Sequence, residues 1–204
     1  MNAWRSRLER WFTPMARRCP LSPNAISILA LLLNVTAATL FYSRHFLLAI
    51  AFITVGGFAD AFDGIVARVQ AKSSRYGDFL DHFCDRVSDI LLIAGWLLGN
   101  DVRIELIVVL LIAVMLNGYI GTQIEATWRE RNYDAMGRGE FVLALIIYPI
   151  ASHLLRTLGY ATTTYATLRI AEWMALLLLA FALLGIGQRF ALAAKLAREG
   201  REGA

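Results

Sequence analysis

Six apolar runs, each about twenty residues long, leave this chain of 204 residues very few ways to fold. They lie near 25–43, 46–68, 79–98, 104–126, 141–158 and 170–190, with short connections between them. A helix rises about 1.5 Å per residue, so ~20 apolar residues cross the ~30 Å hydrocarbon core of a bilayer. In lipid a helix also satisfies its own backbone hydrogen bonds, which an open strand cannot do. A composition 58% hydrophobic, with a mean hydropathy of +0.55, lies outside the range of ordinary soluble domains. The expected fold is all-α: an integral membrane bundle of six transmembrane helices forming one domain.

Ahead of the first run, Trp4, Leu8, Trp11, Phe12 and Met15 recur at helical spacing, with Arg5, Arg7, Arg10 and Arg17 largely elsewhere around the wheel. That pattern predicts an amphipathic helix lying in the membrane interface. The expected organisation is an interfacial helix over 1–20, a six-span domain over 21–194 and a polar tail over 195–204. No cleavable signal sequence is expected, because the first apolar run follows Arg17 and Arg18 and continues into a full-length span. Cys19 and Cys84 have neither disulfide-framework nor zinc spacing.

Charge sets the expected orientation. Five Lys or Arg precede the first span, three follow the second, three follow the fourth and four occupy the tail from Arg189. Only Arg44, Arg103, Arg156 and Arg169 fall at the opposite ends, and Arg86 lies within the third run. The positive-inside bias therefore places both termini on the cytoplasmic side of the cytoplasmic membrane. The net charge of +4 is explained by loop ends facing anionic lipid, and no nucleic-acid partner is expected.

Residues 60–85 break the apolar pattern. Asp60, Asp63, Gly64, Ala67 and Arg68 share one face of the second span, and Gly77, Asp81 and Asp85 share one face of the third. Two antiparallel helices joined by a short turn can point these faces at each other. Four carboxylates gathered at a membrane edge repel one another and resist desolvation. A hard divalent cation such as Mg²⁺, Mn²⁺ or Ca²⁺ relieves both costs, and no nearby Cys/His set suits zinc. Gly64 and Ala67 leave room on that face, and Arg68 is placed to hold a phosphate, an arrangement suited to a pyrophosphate. His82 points off the carboxylate face and is expected to pack or support rather than ligate. Asp78 and Asp89 read as solvated charges near the membrane edge.

Asp60-x-x-Asp63-Gly64-x-x-Ala67-Arg68 followed by Gly77-x-x-x-Asp81-x-x-x-Asp85 resembles the signature of the CDP-alcohol phosphotransferase family at all eight of its fixed positions. The stretch "LSPN" at 21–24 is similar to that family's entry into its first span. The resemblance implies transfer of a substituted phosphate from a CDP-linked alcohol to a hydroxyl, with release of CMP. The donor would be CDP-diacylglycerol or an ether-lipid analogue, and the acceptor a small polar alcohol. By position, Asp60, Asp63, Asp81 and Asp85 would bind Mg²⁺ or Mn²⁺, two ions per site, and Asp85 would take the acceptor's proton. Asp60, Gly64, Ala67, Arg68, Ser74 and Gly77 would meet the CDP moiety. A homodimer is implied as well. Glu125, Arg129, Arg138 and Arg189 are candidates for the acceptor pocket.

The acceptor stays open at this level. "GQR" at 187–189 resembles the branch using inositol phosphate, while Glu125 and Phe141 stand where that branch has cations. "DHFCD" at 81–85 and the Glu125 region resemble the choline and ethanolamine phosphotransferases, which move a CDP-linked headgroup onto a diacylglycerol. A cation transporter is a further reading, since intramembrane carboxylates also mark ion paths. Against it, the carboxylates cluster at one end of two spans, in register with Gly and Arg.

Overall fold

The computed structural model describes residues 12–128 and 138–202, and these are nearly all helical. Residues 12–18 form α1, followed by α2 (Pro23–Tyr42), α3 (Phe46–Val69), α4 (Arg75–Gly99), α5 (Ile104–Trp128), α6 (Arg138–Thr157) and α7 (Ile170–Glu202). Between α6 and α7, β1 (Thr164–Tyr165) pairs antiparallel with β2 (Leu168–Arg169). Ala166 and Thr167 both adopt positive φ there, as a two-residue turn of matching twist requires. Among the described residues, four helices are long and apolar enough to cross a bilayer: α2, α3, α5 and α7. Helix α4 carries six charged residues among its first fifteen, and α6 has its apolar stretch over Leu143–Thr157. Residues 1–11, which hold most of the expected interfacial helix, lie outside the described residues. Helix α7 runs without a break through residue 195 to Glu202.

Local chemistry sets the helix ends. Ser22 caps α2 by accepting from the Ala25 amide at 3.2 Å, with Pro23 at the first helical position. Helices α2, α3, α4 and α6 all close with paired bonds of the Schellman type, through left-handed Arg44, Ala71, Asp101 and Gly159. Only the last of these is glycine, so the other three hold a conformation that disfavours a Cβ. Two of them have a use for their side chains: Arg44 and Asp101 pair at 2.7 Å, joining the ends of α2 and α4.

The core brings together Phe41, Phe46, Ile93, Trp96, Leu97 and Leu110. Trp96 donates its indole N–H to Ser152 Oγ at 3.0 Å, so even the largest buried ring has its polar atom satisfied. Helix α2 packs along both α3 and α4, α5 packs on α7, and α6 lies against α3. Helices α3 and α4 make only slight direct contact; α2 stands between them as their shared support. Outward faces carry Leu32, Val108, Ile112, Met115, Leu143 and Leu177, all exposed, as a lipid-facing surface would be.

All four basic residues at the end opposite the aspartates are engaged. Arg44 and Arg169 meet Asp101, and Arg156 lies over the Phe46 ring at 6.0 Å. Arg103 donates to Glu172 Oε1 at 2.8 Å, and the Arg169 amide donates to Glu172 Oε2 at 2.9 Å. Glu172 is 4% exposed, so this carboxylate tethers α5 to the start of α7 from a dry position. Glu172→Ala is expected to cost about 1–3 kcal/mol, because the half-buried Arg169 N–H and the Arg103 guanidinium both lose their acceptor. The check is a lowered Tm in detergent, and an unchanged Tm would mean that water replaces the carboxylate.

Candidate active site

The turn after α3 brings the chain back antiparallel, and Ser74 starts α4 by capping it, accepting from the Gly77 amide at 3.0 Å. That places Asp81 and Asp85 opposite Asp60. One oxygen from each of Asp60, Asp81 and Asp85 lies within 4.8 Å of the others. Asp85 is buried at 7% exposure, and Asp60 and Asp81 are half-buried. Three carboxylates this close, partly removed from water, repel strongly unless a cation sits among them. An all-oxygen donor set fits Mg²⁺ or Mn²⁺.

The fourth aspartate has a different setting. Asp63 is 5% exposed, and Ser27 of α2 donates to its Oδ2 at 2.5 Å. It lies near enough to Asp60 and Asp81 to feel their charge. Ser27 was invisible to the sequence reading, since nothing periodic links position 27 to position 63.

Around the cluster, the Arg68 side chain folds back across Gly64, where a Cβ would lie 3.4 Å from its guanidinium. Ala67 is half-buried on the same helix, and Arg68 is exposed. A Cβ on Gly77 would lie 3.1 Å from Asn24 Oδ1 and 3.2 Å from Ser74 Oγ. Glycine there lets the start of α4 approach the start of α2, and it brings Asn24 to the site's edge. Ser74 spends its side-chain oxygen on the cap. His82 is exposed and lies 4.0 Å from Asp78, outside the carboxylate group. An exposed side chain packs against little, so the expected packing role is corrected, while its place off the carboxylate face is as expected. Asp78 is exposed, as expected of a charge near the edge.

Asp89 is the clearest correction. It is 7% exposed rather than solvated, and Arg86 reaches it at 3.6 Å. The Arg86 guanidinium lies over Gly118 of α5, in space that a Cβ would fill. Three residues further along α5, the Arg189 guanidinium from α7 lies over Gly121, where a Cβ would come within 2.8 Å. Two cations thus rest on one stretch of α5, each in a notch made by a glycine. Glu125 is half-buried one turn beyond. Arg129 lies outside the described residues, as does the side chain of Arg138, whose backbone opens α6.

Long apolar helices around a half-buried carboxylate cluster at one end define a polytopic helical membrane protein whose cluster has the donor chemistry that hard cations prefer. Residues 20–184 match the family model described as CDP-alcohol phosphatidyltransferase, and the chain belongs to that family of transferases. It is 36% identical over 99 residues to the archaetidylinositol phosphate synthase of Pyrococcus horikoshii, a match covering 48% of this chain and 53% of that one. The enzyme of the same name from Methanothermobacter thermautotrophicus is 25% identical over 155 residues, covering 76% of this chain and 80% of its own length. Among solved structures, the fold is similar to Mycobacterium tuberculosis phosphatidylinositol phosphate synthase with CDP-DAG bound, at a TM-score of 0.69 and 23% identity, over 89% of this chain and 92% of that one. The same protein in complex with manganese and citrate gives a TM-score of 0.67 at 25% identity, over 88% and 87%.

Proposed function

We propose that the chain moves a substituted phosphate from a CDP-linked lipid to the hydroxyl of a small polar alcohol, releasing CMP, with Mg²⁺ or Mn²⁺ at the carboxylate cluster. The observation that carries this reading is the convergence of Asp60, Asp81 and Asp85 from two helices inside the family match. A divalent ion there would neutralise the pyrophosphate and stabilise charge on the departing CMP. Asp60, Asp63, Asp81 and Asp85 would hold it, two ions per site being what the resemblance to the family implies. Asp85 accepts the proton of the acceptor hydroxyl as its oxygen bonds to the lipid-side phosphorus and the bond to CMP breaks. Arg68, folded over Gly64, meets the donor's phosphates, with Ala67 lining the approach and Gly77 letting the start of α4 close on Asn24 beside them. No covalent intermediate is needed, because positioning and charge neutralisation supply most of the catalysis in phosphoryl transfer.

The preferred acceptor is a phosphorylated polyol of the inositol phosphate kind. The two guanidiniums on α5 suit a phosphate, and the archaeal relatives carry that headgroup in their names. A CDP-linked amino alcohol donor, suggested by Glu125, is the second reading. All six long helices cross the membrane in this proposal, with both termini and the site cytoplasmic and residues 21–194 as the enzyme domain. Exposed Val108, Ile112 and Met115 on α5 give apolar surface for a homodimer contact.

The test is CMP release by the purified protein from CDP-diacylglycerol with a panel of acceptors. Chelator treatment is expected to abolish release, and Mg²⁺ or Mn²⁺ to restore it. Inositol phosphate is expected to exceed serine, ethanolamine and unphosphorylated inositol. Release that needs a CDP-linked headgroup and diacylglycerol instead would overturn the assignment of donor and acceptor.

A further inference from the structure

We infer that α2 sets the spacing between the two carboxylate-bearing helices, and that Ser27 is a positioning residue for Asp63; the inference rests on the metal site proposed above. Neither Ser27 nor Asn34 belongs to the eight-position signature. Both are buried, at 5% and 9% exposure, and seven residues apart they share one face of α2. Their polar bonds leave in two directions. Ser27 Oγ donates to Asp63 Oδ2 in α3 at 2.5 Å, and Asn34 Nδ2 donates to Ser88 Oγ in α4 at 3.1 Å. Ser88 stands three residues past Asp85, one turn deeper on the same helix.

Gly56 in α3 makes the second tether possible, since a Cβ there would lie 2.8 Å from Asn34 Oδ1. Ser27 has one proton and two acceptors in reach, the other being the Pro23 carbonyl at 3.2 Å. The carboxylate is nearer and charged, so it takes the proton. With Oδ2 held, the Asp63 carboxylate keeps its orientation one turn along α3 from Asp60. Helices α3 and α4 have little direct contact, so these two bonds to α2 help to set their separation near the cluster. Groups that hold a ligand's free oxygen tune metal sites as the ligands themselves do.

The experiment is a titration of chelator-stripped, full-length protein in detergent with Mn²⁺ alone, followed by electron paramagnetic resonance, with Tm recorded in parallel. Ser27→Ala is expected to weaken Mn²⁺ binding roughly 10-fold or more, with the metal-free protein still folded and its Tm lowered only by the loss of one buried hydrogen bond. Ser27→Thr keeps the hydroxyl and is expected to bind like the wild type. Wild-type affinity in Ser27→Ala, or equal weakening in Ser27→Thr, would overturn the positioning role while leaving the metal site standing. A wild-type protein that binds no Mn²⁺ would overturn both. If Ser27→Ala does not fold, Ser27→Cys keeps the shape with a weaker donor, and wild-type affinity in that variant would count against the inference.

Discussion

Asp85→Asn is expected to reduce CMP release by about 10³-fold or more while leaving the protein folded. A positioned general base contributes roughly 10²–10⁴-fold, and the same change removes an anionic ligand from the proposed metal site. The fold should tolerate it, because Asn has nearly the shape of Asp and takes one charge out of a group held within 4.8 Å. Relief of that repulsion predicts a Tm in metal-free buffer equal to or above that of the wild type. Asp78→Asn is the control, since Asp78 is exposed and outside the cluster. The two variants should separate by orders of magnitude in rate. If Asp85→Asn retained a tenth of the activity, Asp85 would be neither base nor essential ligand, and Asp81 would be the next residue to test.

Periodicity carried the sequence reading as far as single helices allow. The bounds expected for the second and fourth apolar runs, 46–68 and 104–126, lie close to α3 and α5, because long apolar segments have sharp polar ends. The face shared by Asp81 and Asp85 was readable from spacing alone. What spacing cannot convey is which third helix lies alongside. The spacing suggests α3 and α4 pointing their carboxylates at each other, and Asp60, Asp81 and Asp85 do converge; what it does not reveal is that α2 holds both helices, supplying Ser27 to one and Asn34 to the other. Asp89 makes a related point. Its ion-pair partner Arg86 lies one turn away on α4, but nothing along α4 shows that α5 offers Gly118 as the notch for that arginine. Small residues and lone hydroxyls carry no periodic signal, yet here they decide how close two helices come and where a carboxylate points.

Gly95→Ala and Gly57→Ala are expected to change stability in opposite directions, although each adds one methyl to the interior of a helix. At Gly57 in α3 nothing lies within 4 Å of the added Cβ. The change there removes glycine's backbone freedom from the unfolded chain and should stabilise by about 0.5–1 kcal/mol. At Gly95 in α4 the Cβ would run into the backbone carbonyl of Ala38, and at Gly99, one turn on, into that of Phe41. Those carbonyls belong to α2 and cannot rotate away without opening their own helical bonds, so the helices must separate. Overpacking of this kind costs about 1–3 kcal/mol, outweighing the same entropic gain. Small residues are what permit such close crossing of helices in lipid, where dispersion and polar contacts replace the hydrophobic drive. The measurement is Tm in detergent for Gly57→Ala, Gly95→Ala and the Gly95→Ala/Gly99→Ala pair. The pair should lose the most, and its CMP release should fall with it, because α4 carries Asp81 and Asp85 and takes its position from α2. Equal Tm values for Gly57→Ala and Gly95→Ala would mean that α2 and α4 do not approach this closely, and the tether from Asn34 to Ser88 would lose its geometric basis.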